Sequence, residues 1–279
     1  MARARKKTKR KTKPKYTART ADKHVLYQIA VQDPETEIHF VSRVFKKKHA
    51  RPPLKLREDF CGTAHMCAHW VKSNPQRTAV GVDLDRGVLA WGKRHNLAPI
   101  NEPGQRVRLL QQDVCNTVRG PFGAFDVALA FNFSYWIFKT RADLLRYFSS
   151  VYRSLGKGGM FFLDCFGGYN AQDKTIEPRR VGGFTYVWEQ HAFNPITHRG
   201  MNYIHFRFRD GSKMKRAFTY DWRHWTMPEI RELLAEAGFR QSTVYWEGPG
   251  DDGHGDGIFR PTESVENEAA WVAYVVAER

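Results

Sequence analysis

Residues 56–70, LREDFCGTAHMCAHW, decide the fold. The stretch reads as a strand running through a turn into a helix, and the turn nearly matches a nucleotide-binding loop. Such loops use glycine because it tolerates left-handed φ and lets the backbone approach a ligand closely. Here only Gly62 is present, and Phe60 and Ala64 stand where two further glycines are expected. Whether Phe60-Cys61-Gly62-Thr63-Ala64 can still receive a nucleoside is the question the chain poses.

Reading outward, helical spacing of Val25, Leu26, Ile29 and Ala30 predicts an N-terminal helix from about residue 22, with Asp22 as its cap. LKLREDF is a first strand and TAHMCAHWVKS its helix. TAVGVDLD (strand), RGVLAWGKRHN (helix), RVRLLQQD (strand), FDVALAFNF (strand), DLLRYFSSVYRSL (helix) and MFFLDCF (strand) continue the alternation. Nearly continuous apolar strands are those covered on both faces, so this order implies a doubly wound α/β fold with a mostly parallel sheet. The alternation stops at Gly167. Up to about Trp225 the pattern is strand-like, in FTYVWEQHAF, GMNYIHFRFRD and SKMKRAFTYDWRHW, and predicts an antiparallel β insertion of roughly three strands after the fifth strand. A helix, MPEIRELLAEAGF, and two strands, STVYWE and AAWVAYVVAE, close the chain. These two, joined by a loop, should pair antiparallel and bring the main sheet to seven strands. A ligand belongs outside the carboxyl ends of the parallel strands.

The net charge of +16 is concentrated at one end. Residues 1–23 carry eleven Lys or Arg against one Asp, so most of the basicity is a tail. Residues 1–21, almost without apolar side chains, are expected to be disordered and to attract polyanions weakly. Residues 22–279 form one domain with 167–225 as a lid. No run of about 18 apolar residues and no apolar signal core are present, so a cytoplasmic location is expected. Cys61, Cys67, Cys115 and Cys165 lack C-x-x-C spacing and are expected to be reduced.

LREDFCGTA, AVGVDLDRGVLAWG, LLQQDV, FDVALAFNFSYW, LLRYFSSVYRSLGKGGMFFLDCF and YDWRHWTMPEIRELLAEAGF, in this order, resemble the class I S-adenosylmethionine (SAM) dependent methyltransferases over about residues 54–279. The resemblance implies a seven-stranded Rossmann-like sheet and SAM as cofactor. It assigns the loop residues Glu58, Phe60, Cys61 and Gly62 to the donor, Asp83 with Leu84 beside it to the ribose, and Asp113 and Val114 to the adenine. Asp85 is the nearby rival of Asp83, better suited to capping the next helix. Arg43 is one candidate for the methionine carboxylate. The family's first loop usually reads acidic-x-G-x-G-x-G, and this chain keeps the acid and the middle glycine.

Asn132 and Tyr135 in NFSY close the fourth strand, where donor and acceptor meet, and are pocket-lining candidates. Asp164, Tyr220, Arg223 and His224 are candidates for proton handling, although Tyr220 alternates like an ordinary strand residue and Arg223 has local acids to pair with. The aromatics Phe184, Tyr186, Trp188, Tyr203, Phe206 and Phe208 either wall a pocket or pack the insertion itself. His65, Cys67 and His69, and the loop GDDGHGDG, lack metal-site spacing, so no metal is expected. A small-molecule acceptor is the first expectation. The alternatives are RNA or ribosomal-protein methylation tethered by the tail, and a non-catalytic SAM-fold binding protein.

Overall fold

The computed structural model describes residues 15–101, 105–116, 120–250 and 255–279. Most of the basic tail therefore lies outside the described residues. Its last seven do not follow the expectation of disorder. Tyr16 meets the Phe184 ring edge-on at 5.7 Å, and the Ala18 amide donates to Ser212 Oγ at 2.9 Å. The reason is that Tyr16, Ala18 and Ala21 supply apolar surface the basic run lacks, and they bury it on the insertion.

The N-terminal helix α1 (Lys23–Val31) starts at Asp22, whose carboxylate accepts from the His24 amide. A second helix that sequence reading passed over, α2 (Pro34–His49), follows at once. Asp33 caps it, Pro34 occupies its first turn, and Glu35 and Glu37 at the start and lysines at the end complement its dipole. The alternation then runs β1 (Lys55–Asp59), α3 (His65–Lys72), β2 (Thr78–Asp83), α4 (Arg86–Gly92), β3 (Val107–Gln111), β4 (Phe125–Ala130), α5 (Arg141–Ser154) and β5 (Leu155–Gly167). After the insertion, β6 (Thr175–Val181), β7 (Phe184–Asn194), β8 (Arg199–Phe208) and β9 (Lys213–Arg223), come α6 (Met227–Glu236), β10 (Gln241–Pro249), β11 (Gly255–Thr262) and β12 (Trp271–Glu278).

The main sheet has the order β11-β10-β12-β5-β4-β1-β2-β3. β1 to β5 pair parallel, and β12 pairs antiparallel to β5 and β10, as expected. It carries eight strands where seven were expected, because β11 adds an antiparallel edge to β10 out of the Gly- and Asp-rich loop region. The insertion likewise has four strands, in the order β6-β7-β8-β9, where three were expected. The additional one, TIEPRRV, is an exposed edge strand with no apolar alternation, and its proline is tolerated only at such an edge.

One core layer packs α5 and α6 on the sheet through Leu144, Phe148, Val151, Leu233 and Leu234. The other packs α2 and α3 through Phe40, Phe45 and Trp70. α1 lies on the inserted sheet, with Leu26 against Phe184, Phe206 and Phe208. All four cysteines are buried.

Candidate functional site

The turn after β1 answers the opening question. Phe60, Gly62 and Ala64 all adopt left-handed φ, at +55°, +50° and +55°. The backbone thus takes the conformation of a three-glycine loop with a single glycine in it. Each non-glycine residue held there costs on the order of 1–2 kcal/mol, so the surroundings must enforce it. They do so from several sides. The Cys61 amide donates to Val82 O at 3.0 Å, the Gly62 amide to Asp83 Oδ2 at 2.8 Å, and Asn96 Nδ2 to Thr63 O at 2.7 Å. Gly92 lets α4 touch the loop: a Cβ there would come within 2.3 Å of Thr63 O. The Phe60 side chain turns away and packs on Tyr147 and Phe138, with ring centroids at 5.6 and 6.2 Å. It leaves open the face of the loop at Gly62, where an added Cβ would meet nothing closer than Val88 Cγ1 at 3.8 Å.

Acids line the adjoining strand ends. Glu58, at the end of β1, is buried and accepts from the Cys67 amide at 3.0 Å and from Cys67 Sγ at 2.8 Å. It therefore caps α3 from the neighbouring strand, and burial pushes its pKa up to about 8. Glu37 of α2 is pushed well above the usual range, first by burial and then by the Asp164 and Glu58 carboxylates. Asp83 accepts from the Gly62 and Asp85 amides, and its rival Asp85 caps α4, as expected of Asp85. Leu84 beside Asp83 is 65% exposed, a large apolar side chain mostly open to solvent. Asp113 receives the Cys115 amide in a tight turn, and Cys61 and Val114 are buried.

Sequence reading missed the residue that fixes this region. Arg57, fully buried in β1, donates to Asp59 Oδ1 at 2.8 Å, Ser154 Oγ at 2.9 Å and Val114 O at 2.9 Å. Asp59 also accepts from Tyr147 at 2.9 Å. One guanidinium thus ties the first loop, the segment after β3 and α5 together. The available signal was an arginine flanked by Leu56 and Glu58 inside a strand that has to be covered on both faces.

The turn after β4 borders a second space. Asn132 and Phe133 are also left-handed, at +58° and +56°, and both donate their amides to Asp164, at 2.7 and 2.9 Å. Asp164 is thus the clamp of this turn, and burial raises its pKa to about 7. From Asn132 and Phe133 a cavity of about 1040 Å³ extends beneath the inserted sheet. Tyr186, Trp188, Tyr220 and Trp222 of β7 and β9 form its roof, and Trp246 and Trp271 stand at the far end. The insertion's aromatics thereby divide. Phe184, Phe206 and Phe208 pack under α1, Tyr203 contacts His191 away from the cavity, and the part of the sheet α1 leaves uncovered faces the space. α1 reaches both regions: Tyr27 lines the cavity beside Tyr220, while its neighbour Gln28 donates to Thr63 of the loop at 2.8 Å.

Four expectations need correction. Tyr135 does not line the pocket: its ring is fully buried and its hydroxyl donates to Asp164 O at 2.8 Å, because the short helix after Phe133 turns it into the core. Arg223 is not poised for chemistry either. It pairs with Glu229 at 2.9 Å and stacks 3.7 Å from the Trp225 ring centroid, joining β9 to the α6 cap. His224 is buried among Trp136, Phe166 and Phe193, which lowers its pKa to about 4. Arg43 is exposed and donates to Phe259 O on β11. Asn132 and Tyr220, by contrast, both face the cavity. His65 and His69 meet edge-on at 4.6 Å, His69 lies 3.9 Å from Glu35, and among the described residues no three His, Cys, Asp or Glu side chains are grouped to hold a metal ion.

Residues 61–161 match a family model described as a methyltransferase domain. No curated protein matches the chain in sequence. Several solved structures share its architecture. An S-adenosylmethionine-dependent methyltransferase from Clostridium acetobutylicum is 17% identical with a TM-score of 0.66, the match covering 91% of this chain and 96% of that one. An amino pentose methyltransferase of calicheamicin biosynthesis from Micromonospora echinaspora is 17% identical, covering 92% and 95% with a TM-score of 0.64. A sugar N-methyltransferase from a Streptoalloteichus species is 18% identical, covering 100% and 98% with a TM-score of 0.62. The chain has the Rossmann-like fold of the class I SAM-dependent methyltransferases, with the methyltransferase-domain model running from Cys61 in the loop after β1 to Phe161 in β5.

Proposed function

We propose that the protein is a SAM-dependent methyltransferase that acts on a small-molecule acceptor held beneath the inserted sheet. The observation that carries this reading is the left-handed trio Phe60, Gly62 and Ala64, a strained backbone kept in the shape a nucleoside-binding loop requires. The surroundings suit the donor. Glu58, Asp83 and Asp164 stand at the strand ends with Glu37 of α2 near Glu58 and Asp164, a setting that favours a ligand carrying a sulfonium and an ammonium group. The exposed Leu84 offers an apolar face for adenine beside the Asp83 carboxylate, which has the geometry to accept from ribose hydroxyls.

The donor supplies an activated methyl group, so the protein's part is mainly alignment. Asp83 and the Gly62 region hold the sugar end, and the segment Asp113–Val114, fixed by Arg57, holds the base. Asn132 stands between that cleft and the cavity. Tyr27 and Tyr220 orient the acceptor, and α1 closes over both compartments to exclude water. The aliphatic and aromatic enclosure supports a small acceptor over a macromolecule.

Calorimetry with SAM and with S-adenosylhomocysteine tests the reading, followed by transfer of labelled methyl from SAM to small molecules of a fractionated cell extract. Micromolar binding and label in the small-molecule fraction are expected. Absence of binding to both nucleosides would overturn the assignment, and label confined to RNA or protein would overturn the acceptor class.

A further inference from the structure

We infer that the acceptor is a small cation: a molecule with an amine protonated at neutral pH and at least one flat apolar face. The inference rests on the acceptor-cavity reading above and adds the charge of the ligand. It starts from a mismatch between the chain and its cavity. The chain has 45 Lys and Arg and a net charge of +16. The described cavity lining contains Glu177, Glu247, Glu266 and Glu268 and neither a lysine nor an arginine.

Three nearby cations are engaged elsewhere. Arg179 donates to the Ala30 carbonyl, Arg260 pairs with Asp256 at 2.7 Å, and Lys139 pairs with Asp221 at 3.2 Å. A phosphorylated or nucleotide-linked acceptor would therefore meet four carboxylates and neither lysine nor arginine in that lining, as would a nucleic acid.

The walls are an independent observation. Tyr220 and Trp222 lie with ring centroids 4.5 Å apart, Trp188 is 6.0 Å from each, and Trp246 and Trp271 are 4.9 Å apart at the other end. Indole and phenol faces attract cations through the ring quadrupole, and they stack on planar apolar surfaces. Aromatic walls with carboxylates in the same lining thus select for one charge sign, while the rings alone would accept neutral and charged ligands alike.

Three probes of one shape and three charges test this: tryptamine, tryptophol and indole-3-propionate, titrated by calorimetry with and without saturating S-adenosylhomocysteine. Tryptamine is expected to bind about tenfold or more tighter than tryptophol, and indole-3-propionate more weakly than either. The preference should shrink as salt is raised from 20 to 200 mM, values chosen to span the change in screening length. In a Glu177→Gln/Glu268→Gln variant, whose altered side chains are exposed, it should fall severalfold. Equal or tighter binding of the propionate, an unchanged preference in the variant, or no binding of any probe would overturn the proposal. If S-adenosylhomocysteine fails to bind while tryptamine is still preferred, the donor assignment falls and the charge assignment stands.

Discussion

Two turns at the carboxyl edge of the same sheet hold left-handed non-glycine residues, and they are held in opposite ways. The turn after β1 alternates left-handed positions at Phe60, Gly62 and Ala64, and its amides and carbonyls are fixed by β2, by Asn96 and by contact with Gly92. The turn after β4 has two consecutive left-handed residues, Asn132 and Phe133, and one buried carboxylate, Asp164, takes both amides. Strain that many contacts enforce survives the loss of one of them. Strain that one side chain enforces does not.

The largest expected effect on stability follows from that asymmetry. Asp164→Ala leaves two half-buried amides without their carboxylate partner in a strained turn and should destabilise the protein by about 2 kcal/mol, read as a fall in the urea midpoint. Asp164→Asn, which keeps one acceptor, should cost about half as much. If both variants unfold like the parent, the clamp is not what holds the turn. Next comes Asp83→Ala, which removes one of several anchors of the first loop together with the proposed sugar contact. It should leave stability within about 1 kcal/mol and weaken SAM about 100-fold by calorimetry, a loss near 2.7 kcal/mol. Collapse of the fold in place of lost affinity would show that the first turn is as dependent on one residue as the second.

Much of this edge was legible in the sequence. The alternation of apolar runs and amphipathic stretches placed β1 to β5, α3 to α6 and the antiparallel closing pair, because those elements bury a face and the burial sets their period. α2 escaped notice although Asp33-Pro34 and the spacing of Ile38, Val41 and Phe45 announce it. β6 and β11 were hidden for a physical reason. Edge strands with exposed faces bury no periodic stripe, so nothing in their residue order marks them. At the site, the places of Gly62 in the first loop and of Asp83 and Asp113 at or just after strand ends were readable from residue type and strand pattern. The left-handed Phe60 and Phe133 were not, because the residue preference at these positions opposes the conformation and only tertiary contacts impose it. Tyr135 misled for a similar reason: a tyrosine five residues beyond the end of β4 can point to ligand or to core, and Asp164 O took its hydroxyl.

Glu58 sharpens the comparison from the side of the first turn. Its pKa, about 8 in the folded protein against 4.5 when unfolded, is raised by burial. The native state therefore holds a proton that the unfolded chain releases between these values. Stability from this group is complete below about pH 4.5 and falls as pH rises toward 8. Glu58→Gln should remove this slope, making the variant relatively more stable than the parent at pH 8 than at pH 5 by an amount on the order of 2 kcal/mol. Asp164 contributes a slope of the same sign and is present in both proteins, so the difference isolates Glu58. Parallel stability curves for the two proteins from pH 5 to 8 would contradict the assignment.

The smallest effect is the most specific to backbone conformation. Ala64 is fully buried at φ +55°, whereas Ala68, almost as buried, sits inside α3 in the right-handed region. Ala68→Gly should cost about 1–2 kcal/mol, from lost helix propensity and the missing methyl. At Ala64 the same change loses a similar methyl and gains chain entropy in the unfolded state, but it also releases roughly 1–2 kcal/mol of left-handed strain. The terms oppose one another, and Ala64→Gly should lie within about 0.5 kcal/mol of the parent. Phe60→Gly relieves the same strain but also removes the ring that packs on Tyr147 and Phe138, so it should be clearly destabilising. Equal losses at positions 64 and 68 in thermal or urea unfolding would mean that the left-handed trio stores no strain, and the first turn would then need no network of anchors to hold it.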